Sequence, residues 1–193
     1  SSFLKQTGND ALKGADILRT APAQYTSSVE YADDPISQNM KAIAQVMTAD
    51  IGTKVYYTTH GSFDTHAGEL PMHSKLWSEV SRAMSDFMTD IENHGLAENT
   101  LVLLFSEFGR RIKDNGAGTD HGSGGVAFVL GGAINGGFYG QFPSLEEDQH
   151  LEGDLHFNND FRSTYATILD KWLHIDPSPI TKQTYEQFNF VTN

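Results

Sequence analysis

Residues 60–122 hold a concentration of side chains that bind metals and move protons: His60, Asp64, His66, His73, Glu107, Asp120 and His121. Imidazoles and carboxylates are the usual ligands of zinc and other divalent metals. They fall in three segments far apart in the chain, HGSFDTH (60–66), SEFGRR (106–111) and TDHG (119–122). Metal-assisted hydrolysis needs such groups to converge on one point and to leave a coordination position open for water or substrate. The set expected to hold a divalent metal (zinc, manganese or calcium) is Asp64, His66, Glu107, Asp120 and His121. Glu107 is expected to double as a general base, and Arg110 to neutralise an anionic substrate.

Each group also has a purely structural reading. Asp64 and His66 fit an Asx-turn with a nearby imidazole. Glu107 can pair with Arg110 or Arg111, and Asp120-His121 can be ordinary loop polarity. His60 can cap a strand, and His73 stands at a helix start. His94 and His174 end helices, where the dipole favours an imidazolium. His150 and His156 have no partner at ligand spacing. Asp160-Phe161-Arg162 reads as a first-turn acid with a paired or solvated arginine.

The elements that must position these groups follow from periodicity. Residues Asn9 to Leu18 suggest a short helix, and 19–35 a surface loop. Ile36, Met40, Ile43, Ala44 and Met47 recur at helical spacing, with Gly52 as the stop. The segment Thr53–Thr59 (TKVYYTT) is β-branched and aromatic, as a strand should be. Leu76, Trp77, Val80, Met84, Phe87, Met88 and Ile91 form an apolar stripe on a helix from about Pro71 to His94, closed by Gly95. TLVLLF (100–105) and VAFVL (126–130) are short apolar runs of the kind buried on both faces of a parallel sheet. The glycine-rich stretch 107–124 between them reads as a long loop. A last helix is expected from Asn159 to His174.

Helices alternating with short apolar strands predict a three-layer α/β domain with a mainly parallel sheet, in which ligands gather at one edge of the strands. The chain reads as a single domain, with an irregular segment 1–35, a core 36–174 and a tail 175–193. It opens in mid-pattern and too few strands are evident, so it reads as an incomplete piece of a larger domain.

Composition narrows the partners. A formal net charge of −12 argues against nucleic acid, and no stretch is apolar enough to suggest membrane insertion. An anionic substrate would need local positive charge from a metal or an arginine. The absence of cysteine rules out disulfides, thiolate ligands and a Cys nucleophile, and leaves the compartment open.

The ordered motifs FDTH, SEFGRR, NGAGTDHG leading into AFVLGG, GGFYGQFPSL and DFRSTYATILDKWL, over residues 53–174, resemble the C-terminal half of a bacterial domain-of-unknown-function family. That family is exported by the twin-arginine route and is related to the sulfatases and alkaline phosphatases. The resemblance implies an alkaline-phosphatase-like fold, a periplasmic or secreted location, and hydrolysis of small sulfate or phosphate esters. It implies that Asp64 and His66 match the Asp/His pair of one metal site, that His121 matches its late histidine, and that Glu107 matches the strand-end acid of a second metal. The superfamily has Asp then His where this chain has Glu107 then Phe108, and its Asp/His spacing is longer. The nucleophile would lie in an N-terminal half, a further partner of this chain. A different class remains open: an α/β binding or surface-assembly module that keeps the fold without the chemistry. A third expectation is a calcium surface in the acidic stretch 146–154.

Overall fold

The computed structural model describes Gly14 and residues 25–192. The short helix expected at Asn9–Leu18 falls outside them but for Gly14. The chain divides into two compact units, Ser1–Asp64 with Leu70–Ala97, and Thr65–Glu69 with Glu98–Asn193.

The first unit is helical. Helix α1 (Pro35–Thr48) starts on Asp34, whose carboxylate accepts from the Ser37 amide at 3.0 Å and the Ser37 hydroxyl at 2.9 Å. Pro35 fits the first helical position because its missing N–H would have had no partner there. Helix α2 (Glu69–Asn93) matches the apolar stripe, and Leu76, Val80, Ala83, Met84, Phe87 and Ile91 are buried. It ends on Gly95 at φ +71°, with Leu96 N–H reaching the Ile91 carbonyl and Gly95 N–H the Glu92 carbonyl. Paired bonds of that kind satisfy the carbonyls a helix end leaves over, and glycine takes the left-handed turn without Cβ strain.

At the centre of this unit Asp90 is fully buried. It accepts from the Ser28 amide and hydroxyl, each at 2.8 Å, from Tyr31 Oη at 3.0 Å and from Tyr25 Oη. Burial alone would raise its pKa. The hydrogen bonds from Tyr25, Ser28 and Tyr31 outweigh that and hold the carboxyl below its ordinary range. Burial, and then the bond to Asp90, push the Tyr25 hydroxyl up to about 12.

The second unit is built from short strands, turns and one substantial helical segment. Strand β1 (Val102–Leu104) pairs antiparallel with β4 (Phe128–Leu130), Val102 opposite Leu130. Strand β2 (Gly109–Asp114) pairs antiparallel with β3 (Thr119–Gly122), Arg110 opposite His121. Helix α3 (Phe161–Thr167) is capped by Asp160 and runs on as a π-helical turn, Ile168–Trp172. A four-residue helix α4 (Ser178–Thr181) follows.

These pairings overturn the three-layer, mainly parallel sheet expected from the pattern. Among the described residues both sheets are two-stranded and antiparallel. A parallel pair needs a crossover element between its strands. The helix α2 had that place between 53–59 and 100–105. However, residues 53–59 join no strand pair among the described residues, and Val55 and Tyr57 are 72% and 77% exposed. The segments 100–105 and 126–130 pair with each other instead, and their strands are half-exposed rather than buried on two faces. The glycine-rich stretch 107–124, read as a loop, contains the β2–β3 hairpin.

Candidate functional site: a histidine and carboxylate cluster at the hairpin

The hairpin places the chemistry. Its turn is built on Asn115, whose amide donates to the Gly118 carbonyl at 2.8 Å. The Asn115 side-chain oxygen accepts from the amides of Ala117 and Gly118, at 3.0 and 2.9 Å. Asparagine suits a turn because its side chain can take over the bonds of the backbone. With the turn fixed, β3 presents Asp120 and His121 at the surface.

The segment carrying His66 lies against this hairpin. His66 Nδ1 stands 3.2 Å from Asp120 Oδ1. The His66 and His121 rings lie 4.9 Å apart, tilted by 34°. His121 is stacked on Phe108 at 4.1 Å and 13°, and the Arg110 guanidinium lies 5.2 Å from the centre of the Phe108 ring. Guanidinium, benzene ring and two imidazoles thus gather as neighbouring planar groups around Phe108 and His121.

Asp64, two residues before His66, completes a group of three. Asp64, His66 and His121 are all exposed, and one ligand atom from each lies within 4.8 Å of the other two. Around a tetrahedral ion with bonds of about 2.1 Å, ligand atoms stand roughly 3.4 Å apart. Exposed side chains can close that difference by rotation, so the donor set fits a divalent cation. Two imidazoles and one carboxylate also leave coordination positions for water or another ligand.

The other expected residues are placed differently. Asp120 is not one of the three converging groups. Its carboxylate faces His66 Nδ1 and accepts from Asn115 Nδ2 at 3.0 Å. Hydrogen bonds from Asn115 and then His66 hold its pKa below the ordinary carboxylate range. A carboxylate on one imidazole nitrogen commonly orients the other toward a metal. Glu107 is exposed at a bend between β1 and β2 and is also outside the converging group. Arg110 turns inward: it donates to the carbonyls of Thr65 and Thr119 and lies 3.8 Å from Glu69.

His60 pairs with Glu79 at 3.2 Å, and His73 Nε2 lies 3.2 Å from the Phe63 carbonyl. His94 Nδ1 lies 2.8 Å from the Asp90 carbonyl, at the end of α2. Within the acidic stretch 146–154, no three carboxylate or imidazole groups converge among the described residues. Asp154 instead accepts from the Ile112 amide at 3.2 Å and pairs with Arg111 at 3.5 Å.

Two residues outside the expected set matter here. Glu69 accepts from both the amide and the hydroxyl of Thr119. Asn115 also donates to the His66 carbonyl at 3.3 Å. The Asn-Gly pair 115–116 between RRIKD and TDHG is a hairpin signal that could have located the turn. Glu69 carries no comparable mark, because it acts on backbone groups remote in sequence.

Residues 5–184 match the model of a family described as Protein of unknown function (DUF1501). The chain belongs to this family. No curated protein and no solved structure matches the chain. Among the described residues, no helix is long and apolar enough to cross a membrane.

Proposed function

We propose that this member of the DUF1501 family is a divalent-metal protein in which Asp64, His66 and His121 hold the ion and Asp120 orients His66. The observation that carries the reading is the approach of three ligand atoms from two separate segments to within 4.8 Å. The reaction class that fits is hydrolysis of a small anionic ester, a sulfate or a phosphate. A bound dication would polarise the ester oxygen and activate water, supplying the positive charge that a chain of net charge −12 otherwise lacks.

The chain's own groups orient the imidazoles through Asp120 and the Phe108 stack. They leave the site exposed to a substrate arriving from solvent. Kinship to sulfatases and alkaline phosphatases, and export to the periplasm, rest on the resemblance of the motifs.

Metal content after purification without chelators tests the proposal, with zinc, manganese and calcium measured together. About one ion per chain, lost in His121→Ala, supports it. A metal-free chain that also fails to take up added zinc or manganese would sink it. Hydrolysis of an aryl phosphate and an aryl sulfate by the loaded protein then separates catalysis from storage.

A second reading is a surface-assembly module without catalysis. It is favoured by the aromatic side chains that the second unit exposes: Phe138 fully, Phe142 at 84%, Phe161 at 69% and Phe157 at 61%. Apolar exposure on this scale commonly marks an interaction surface. Stoichiometric metal with ester hydrolysis excludes this reading, and self-association lost in Phe142→Ser supports it.

A further inference from the structure

We infer that Arg110 and Glu69 form a positioning clamp that sets the distance between the two histidine-bearing segments. This rests on the metal reading and extends it, because neither residue is a ligand. Arg110 Nη1 donates to the carbonyl of Thr65 and, at 2.6 Å, to that of Thr119. Those two peptide groups stand immediately before His66 and Asp120. A third donation runs from Nη2 to the Thr65 hydroxyl at 3.3 Å. One guanidinium thus ties together two backbone segments 54 residues apart in sequence at the His66–Asp120 contact.

Glu69 closes the clamp from the other side. Its carboxylate binds the amide and hydroxyl of Thr119, and its Oε1 lies 3.8 Å from Arg110 Nε. Both side chains are largely buried, at 17% and 14% exposure. Gly118 makes the seat: a Cβ there would stand 2.7 Å from Glu69 Oε2 and 3.3 Å from the His66 carbonyl carbon.

The chemistry explains the residue types. A planar guanidinium has enough fixed donors to hold two carbonyls and a hydroxyl while facing a carboxylate 3.8 Å away, and a lysine ammonium lacks that fixed fork. An arginine charge beside a dication would repel it, and the Glu69 carboxylate offsets that charge. Interactions that hold ligands in place commonly contribute 10–100-fold in metal affinity. Arg110 is therefore a positioning residue and is directed away from an incoming anion.

The test uses cobalt(II) as the probe, because its visible bands report ligand geometry as well as occupancy. Affinity is measured by calorimetric titration of wild type, Arg110→Met, Arg110→Lys, Glu69→Gln and Arg162→Met. The last is a control: it breaks another arginine–carboxylate pair of the second unit, Arg162 with Asp160 at 2.6 Å. The clamp predicts a 10–100-fold loss of affinity with displaced cobalt bands for Arg110→Met and Glu69→Gln. Lysine gives little rescue, and Arg162→Met leaves affinity and spectrum unchanged. Should Arg110→Met not fold, Glu69→Gln, nearly identical in shape, decides. Cobalt binding equal to wild type in Glu69→Gln overturns the clamp and leaves the metal reading standing. A wild type that binds no cobalt overturns both.

Discussion

Asp90 in the first unit and Asp120 in the second are both carboxylates held below their ordinary pKa by hydrogen bonds, yet they do opposite work. Asp90 has no solvent contact, and it accepts from two tyrosine hydroxyls, a serine hydroxyl and an amide, with the His94 imidazole 3.4 Å away. Every lone pair is committed to keeping neighbouring elements together. Asp120 is exposed and faces an imidazole whose neighbours are another imidazole and a carboxylate. A saturated, buried acid is a structural hub, whereas an exposed acid beside a converging polar group would, in the proposed metal reading, orient a ligand. The depressed pKa is the same sign in both and does not separate them. Burial and the identity of the partners do.

The sharpest way to break the comparison is to remove each acid. Asp90→Ala leaves two tyrosine hydroxyls, a serine hydroxyl and an amide without their acceptor, so it is expected to cost about 3–5 kcal/mol of stability in urea unfolding. A loss below about 1 kcal/mol would show that Asp90 is no hub. Asp120→Asn is expected to leave unfolding within about 0.5 kcal/mol. Its effect falls on zinc affinity by calorimetry, down about 10–100-fold. Glu107→Gln, outside the cluster, should change zinc affinity by less than about twofold, and a larger loss would bring Glu107 back among the ligands.

The two regions also separate by pH. Tyr25, with its hydroxyl pushed up to about 12, contributes stability that is complete below the unfolded value of about 10 and lost as pH rises toward 12. Asp90 and Asp34 have depressed folded values, so their stabilisation is present above about 3.9 and lost as pH falls through those values. For Asp34 the opposing burial is outweighed by bonds from Ser37 and Arg82. Unfolding midpoints recorded from pH 3 to 12 should therefore fall at both ends. In Tyr25→Phe the alkaline fall should shrink and the acid one remain, and an unchanged alkaline limb would remove Tyr25 as its cause.

Legibility in the sequence followed the range of the interactions. The helices were legible because apolar residues at intervals of three and four, such as Leu76, Val80, Met84, Phe87 and Ile91, must share a face. Gly95 marked one boundary for a local steric reason, whereas Asp34 and Pro35, read as the end of a loop, are the cap and first residue of α1. The strands were not legible in the same way. An apolar run such as TLVLLF says that a strand forms, but its partner and direction depend on where 126–130 returns. The residue types of the cluster were visible, since Asp64, His66 and His121 are metal-ligating side chains in polar segments. The roles of Glu69, Asn115 and Arg110 were hidden, because each acts on backbone carbonyls or amides that could belong to any residue.

The base of the hairpin has a consequence for reading variation in this protein. A Cβ at Gly109 would meet the Gly122 and Gly124 carbonyl oxygens at 2.6 and 2.7 Å, and one at Gly124 would meet the Arg110 oxygen at 2.8 Å. Main chain lies on main chain there, with space for hydrogen alone. A saturation mutagenesis map should therefore show these two glycines as barren columns, whatever the outcome at His66 and His121. Such columns would report steric exclusion where two backbone segments touch.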